Sequence, residues 1–161
     1  MIDFQDGKVI ELTLPAEVEF VGVARLMISG VANRLGFSYD EIEDLKLAVA
    51  EACTNSVRHA YEDSVGGTLR IECIMLPDRL TIKVIDTGNS FDASQAKLAP
   101  LDTSKDIEEL NEGGLGLYLI HTLMDEVEIN TENGVVVVMT KYVQRDEVDF
   151  HDDEFTQTRA E

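Results

Sequence analysis

The sequence contains no tryptophan, and aromatic residues make up only 6% of it, so its interior has to be built from aliphatic side chains. Two cysteines, Cys53 and Cys73, stand well apart with no second pair beside either. That spacing suggests neither a zinc site nor a disulfide framework, and it predicts buried free thiols in a reducing compartment. Basic residues are scarce: 13 against 32 acidic ones, a formal net charge of -19. A surface of that sign repels phosphate backbones, so direct contact with DNA or RNA is not expected. It favours solubility and speeds encounter with a basic protein partner. No stretch approaches the ~18 consecutive apolar residues of a membrane span. The opening residues Met1 to Asp6 carry neither a basic region nor an apolar stretch, so no signal peptide is expected and the location expected is the cytoplasm.

The 161 residues suit one domain, and 44% apolar content is enough for a single core. Ile10, Leu12 and Leu14 alternate with Glu11 and Thr13, which predicts a half-buried strand over 8–14, broken by Pro15. Val18, Val21, Ala24 or Arg25, Ile28, Val31 and Leu35 follow helical spacing, with Gly36 as the stop. Ser38 and Glu41 form a capping box that opens a second helix to about Ala60, with Ile42, Leu45, Val49 and Ala52 inside. Two strands follow, carrying Leu69, Ile71, Cys73, Met75 and then Leu80, Ile82, Val84 around a Pro77-Asp78-Arg79 turn. Residues 87–112 lack apolar period. A third helix opens on Gly113, Gly114 and Gly116, runs through Met124, and has Leu115, Leu119 and Leu123 in register. Two last strands flank Asn133-Gly134, a dipeptide suited to a tight turn, and the wholly apolar 135–139 predicts an interior strand. The order predicts an α+β fold, with helices on one face of a mixed, mostly antiparallel sheet. The domain is expected over 1–144, and the polar, acidic, aperiodic tail 145–161 is expected to be disordered.

Three segments carry candidate chemistry. In the second helix Glu51, Asn55 and His59 stand four apart and so share one face, amid small residues. A carboxylate and an amide one turn apart suit a base beside a hard-metal ligand; a solvated face ending in a histidine is the alternative. Asp86-Thr87-Gly88 closes an apolar strand. It reads either as an ordinary turn or as an acid that accepts a hydrogen bond from a ligand amino group, with Gly88 permitting close approach. Gly113-Gly114-Leu115-Gly116-Leu117 opens a helix, where free backbone N–H groups can hold an anion; a flexible hinge is the alternative. No strand precedes it and no Lys-Ser or Lys-Thr follows it, so neither a dinucleotide fingerprint nor a P-loop fits. The long polar stretch before it has the character of a lid.

Taken together, E-x-x-x-N on a helix, D-x-G after a strand, a lid and then G-G-x-G-L opening a helix resemble the GHKL ATPase superfamily and its Bergerat-type α/β sandwich. Within it, Tyr39-Asp40-Glu41-Ile42-Glu43-Asp44-Leu45-Lys46, Glu51-Ala52-Cys53-Thr54-Asn55, Glu112-Gly113-Gly114-Leu115-Gly116-Leu117-Tyr118 and Thr122-Leu123-Met124-Asp125-Glu126-Val127 resemble the bacterial anti-sigma serine kinases. The likeness spans about residues 8–144. Where the wider superfamily carries D-x-G-x-G, Ser90 replaces the second glycine, as in that narrower family.

The resemblance implies an ATP site. Asp86 would hold the adenine amino group, supported by Thr140 on the last strand, and Gly88 would lie beside it. Asn55 would coordinate Mg²⁺, and Glu51 would be the base for a seryl hydroxyl. Gly113, Gly114 and Gly116, with Leu115 and Leu117 in the same motif, would meet the phosphates beneath a lid over about 89–112, where Lys105 is a candidate basic contact. The implied function is that of an anti-sigma factor. It would sequester an alternative, general stress sigma factor and, using MgATP, phosphorylate an anti-anti-sigma protein on serine, acting as a homodimer. Two other functions share the motifs: a nucleotide-gated binding module without phosphotransfer, and a stand-alone histidine-kinase-like catalytic domain. The latter needs a phospho-accepting histidine helix, and His59, His121 and His151 do not supply one.

Overall fold

In this computed structural model the described residues are 7–62, 67–86, 112–130 and 134–144, with backbone course only for 59–62 and 112–115. Strand β1 (Lys8–Pro15) is followed by a 3-10 turn (Val18–Phe20) and helix α1 (Val21–Leu35), then helix α2 (Tyr39–Glu62). Strands β2 (Thr68–Met75) and β3 (Arg79–Asp86), helix α3 (Glu112–Leu123) and strands β4 (Glu126–Asn130) and β5 (Val135–Tyr142) complete the order. The five strands form one sheet in the order β1-β2-β3-β5-β4. Every pairing among them is antiparallel, so the parallel share that a mixed sheet allows for does not occur among the described strands. The strand over 135–139 is interior, between β3 and β4.

Helix boundaries follow the local chemistry. Ser38 N donates to Glu41 Oε2 at 2.8 Å and Glu41 N donates to Ser38 Oγ at 3.3 Å, the reciprocal pair of the capping box. Gly36 ends α1 at φ 88, and its N–H bonds back to Ala32 and Asn33 carbonyls. Val18 differs from expectation: the 3-10 turn takes it out of phase with α1 and leaves it exposed. The inner face of α1 is Ala24, Ile28, Val31 and Ala32, and Arg25 is exposed.

The core lies between the helices and one face of the sheet. Leu80, Ile82 and Val84 on β3 point into it, as do Leu69, Ile71 and Cys73 on β2 and Val137 and Met139 on β5. Above them sit Leu45, Ala48, Val49, Ala52 and Cys53 of α2. Each of the larger aliphatic side chains contributes roughly 1.5–3 kcal/mol of burial. In α3 the fully buried residue is Ile120, in a row with Gly116 and Met124, whereas Leu119 and Leu123 are half-buried. The helix is apolar nearly all round, so its period could not select the inner face. Lys141 Nζ donates to the Leu123 carbonyl at 2.8 Å and anchors the C-terminal end of α3 to β5. Among the described residues no helix is long and apolar enough to cross a membrane.

Candidate nucleotide-binding site

Helix α2 buries Ala52, Cys53, Ser56 and Val57, which leaves Glu51 and Asn55 half-buried along the edge of that stripe. The hydroxyls on either side of Asn55 are spent on the helix itself. Thr54 Oγ1 donates to the Ala50 carbonyl at 2.7 Å and Ser56 Oγ to the Ala52 carbonyl at 3.1 Å. The carboxylate of Glu51 and the amide of Asn55 are therefore the side-chain groups this stretch offers. Helix α3 packs on α2, and Gly116 is where it comes close. A methyl placed on Gly116 would stand 3.0 Å from Glu51 Oε2 and 3.3 Å and 3.5 Å from Asn55 Nδ2 and Oδ1. Motifs 60 residues apart in the chain thus meet side by side.

Cys53 lies between the two polar residues in sequence but faces the core. Burial pushes its thiol and that of Cys73 up to about 12, so neither supplies a thiolate. Among the described residues no three His, Cys, Asp or Glu side chains cluster as metal ligands. A cation here would rest on few protein oxygens together with phosphates and water, which is how Mg²⁺ is commonly held, and the Asn55 amide oxygen beside a carboxylate fits that donor set.

Asp86 ends β3, buried, with Leu69 of β2 on one side and Val135 of β5 on the other. It continues the series Leu80, Ile82, Val84 and so lies on the helix-covered face of the sheet. Gly134, at φ +99, lies against it: a methyl there would be 2.8 Å from the Asp86 carbonyl oxygen.

Thr140 is not part of this arrangement. It pairs with Thr81, five residues back along β3 from Asp86, which is about 17 Å of strand. Odd spacing also turns it to the opposite face, where Thr81 Oγ1 and Thr140 Oγ1 form a buried hydrogen bond of 3.1 Å. The expected support of Asp86 by Thr140 therefore fails on geometry. The residues that flank Asp86 from the last hairpin are Gly134 and Val135, neither of which the motifs single out. The dipeptide Asn133-Gly134 reads as a turn in the sequence, but the closeness of Gly134 to Asp86 depends on the register of β3 with β5.

Gly113, Gly114 and Leu115 fall in the first turn of α3, and Leu117 packs half-buried against the core. Gly88, residues 89–111 of the lid expected over about 89–112, Lys105 among them, and the tail 145–161 lie outside the described residues, as does the side chain of His59.

Comparisons with known proteins identify the family to which this fold belongs. Residues 14–141 match the family described as Histidine kinase-like ATPase domain. The chain is similar to the Serine-protein kinase RsbW of Halalkalibacterium halodurans, 56% identical over 154 residues that cover 94% of each chain. It is also similar to the Serine-protein kinase RsbW of Bacillus subtilis, 52% identical over 145 residues, 89% of this chain and 90% of that one. Among solved structures, that of the RsbU and RsbW domains of a Mycobacterium tuberculosis protein shares the fold over part of its length, with TM-score 0.62 and 20% identity. That match covers 86% of this chain, which spans a third of the length of the solved one (33%). With a GHKL-type sheet and helices, Glu51 and Asn55 set against Gly116, and identity of this extent across nearly the whole chain, the protein belongs to the RsbW family of serine-protein kinases within the histidine kinase-like ATPases.

Proposed function

We propose that the protein is a cytoplasmic, homodimeric anti-sigma factor. It holds an alternative, general stress sigma factor away from RNA polymerase and, with MgATP, phosphorylates that factor's anti-anti-sigma antagonist on serine. The observation that carries this reading is the meeting of Glu51 and Asn55 beside Gly116, which gathers a carboxylate and an amide next to the opening turns of a helix. A strongly acidic surface supports recognition of partners with basic patches.

In this reading Asp86 accepts a hydrogen bond from the adenine amino group, with Gly88 leaving room for the ring. Gly113 and Gly114, in the first turn of α3, present backbone N–H groups to the phosphates at the positive end of its dipole, and Gly116, one turn in, permits close approach, with Leu115 and Leu117 carried in the same motif. Mg²⁺, held by Asn55, would neutralise charge on the phosphate oxygens. Glu51 takes the proton of the incoming seryl hydroxyl as the new P–O bond forms and the β–γ bridge breaks. Such a base commonly contributes about 10²–10⁴-fold. The net charge of -19 does not oppose this, because backbone dipoles and the cation act within a few ångströms.

The test combines purified protein, Mg²⁺, γ-labelled ATP and a lysate of the source cells, followed by phosphoamino-acid analysis. Acid-stable phosphoserine on one small protein is expected. Phosphohistidine would support a stand-alone histidine-kinase-like domain instead, and ATP binding without any labelled product would leave a nucleotide-gated binding module.

A further inference from the structure

We propose that Gly116 is a positioning residue for Glu51, acting through the side chain it lacks. The inference rests on the assignment of Glu51 as base. The glycines of α1 show what is unusual here: a methyl on Gly22 or Gly30 would meet nothing within 4 Å. At Gly116 it would meet the Glu51 carboxylate at 3.0 Å and both Asn55 amide atoms within 3.5 Å, at a buried position. Glycine is a poor helix residue, disfavoured relative to alanine. Alanine at 116 would therefore favour helix α3 itself, while the bare Cα leaves a recess against which the two polar groups rest.

The atoms a methyl would push are the far ends of flexible side chains, which can yield at little cost to folding. They are also the atoms whose placement decides the reaction. A displacement of about 1 Å at such a group can slow transfer by up to ~10²-fold. Stability and rate are thus expected to move in different directions. Alanine also keeps the backbone N–H, which helix α3 itself uses one turn in from its start at Glu112, so the substitution removes only the space.

The experiment is a double-mutant cycle of Gly116→Ala and Glu51→Gln, with transfer from γ-labelled ATP to the acceptor protein labelled in the lysate experiment. Gly116→Ala is expected to melt at or above the temperature of the unaltered protein, and Gly30→Ala should do the same through helix preference alone. Its KM for ATP should stay within about threefold and its kcat should fall about tenfold. In the Glu51→Gln background the same change should cost less than about twofold, because the group it displaces no longer acts as a base. An equal loss in both backgrounds overturns the proposal, as does an unchanged kcat, a raised KM with kcat preserved, or a loss of rate that tracks a fall in melting temperature. Glu51→Gln tested alone separates the two ideas: full activity there removes the base assignment, and no transfer by the unaltered protein removes both.

Discussion

Two glycines with positive φ allow the contact at Asp86 to be weighed apart from backbone strain. Gly36 lies at φ +88 with nothing within 4 Å of where a Cβ would be, and Gly134 at φ +99 with the Asp86 carbonyl oxygen 2.8 Å away. Alanine at either site must adopt a left-handed conformation, which costs about 1–2 kcal/mol. At Gly36 that is the whole expected effect. At Gly134 the new methyl meets backbone of β3, which cannot rotate out of the way, and overpacking of this kind adds roughly 1–3 kcal/mol. Gly134→Ala should therefore lose about 2–5 kcal/mol in urea unfolding, and Gly36→Ala about 1–2. For a domain of this size each kcal/mol lowers Tm by roughly 2–4 °C. The functional part is the second half of the prediction. The β3 end moves with Asp86, so Gly134→Ala should lose ATP affinity and preference for ATP over GTP, since guanine presents a carbonyl where adenine presents its amino group. Gly36→Ala should bind ATP normally. Equal stability losses in the two variants, with ATP affinity intact in both, would refute the idea that Gly134 fixes Asp86.

Four further outcomes are expected. Asn55→Ala should abolish phosphotransfer, and Glu51→Gln should bind MgATP almost normally yet transfer at least ~10²-fold more slowly in a single-turnover assay; lost nucleotide affinity with transfer intact would remove Glu51 from the role of base. Thr140→Val leaves the fully buried Thr81 hydroxyl without the partner it has at 3.1 Å. It should lose roughly 1–3 kcal/mol by denaturant titration, and a fall in ATP affinity would return Thr140 to the site. The thiols of Cys53 and Cys73 are raised from 9.0 to about 12 on folding, so below pH 9 both states keep their protons and stability is unaffected. Above that the unfolded chain ionises first, and stability should fall by up to about 1.4 kcal/mol per pH unit per thiol until pH 12. The test is the slope of stability between pH 9 and 11; a Cys53→Ala, Cys73→Ala variant that falls as steeply would show that the thiols are not the cause.

Much of the fold was legible because its signals are local. The capping box at Ser38 and Glu41, the glycine stop at Gly36 and the alternation of Ile10, Leu12 and Leu14 each lie within a few residues; the first two were found in place, and the third marks a strand that runs on through Pro15 and leaves Ile10 exposed. The 3-10 turn at Val18–Phe20 was not legible, since one apolar residue ahead of a helix can continue its phase or break it. Nor was the inner row of α3, because leucine, isoleucine and methionine surround that helix and the row that turns inward includes Gly116, whose lack of bulk carries no hydropathy signal.

The site divides along the same physical line. Glu51 and Asn55 share a face because four residues make about one helical turn, whatever the rest of the chain does. Which face of a sheet Thr140 occupies is not a local property. Along β5 the parity alternates at every residue, and only the pairing of Asp86 with Val135 and of Thr81 with Thr140 decides which parity looks toward the helices. A shift of one residue in that pairing would have put Thr140 on the Asp86 face and Val135 off it. The register itself follows from burial: placing Val137 and Met139 beside Val84 and Ile82 fills the core, and Thr140 then has to turn away from it. The cost of turning a hydroxyl into a buried position is offset by its hydrogen bond to Thr81. The same register brings Gly134 against the Asp86 carbonyl, so the packing that removes Thr140 from the site is what supplies Gly134 to it.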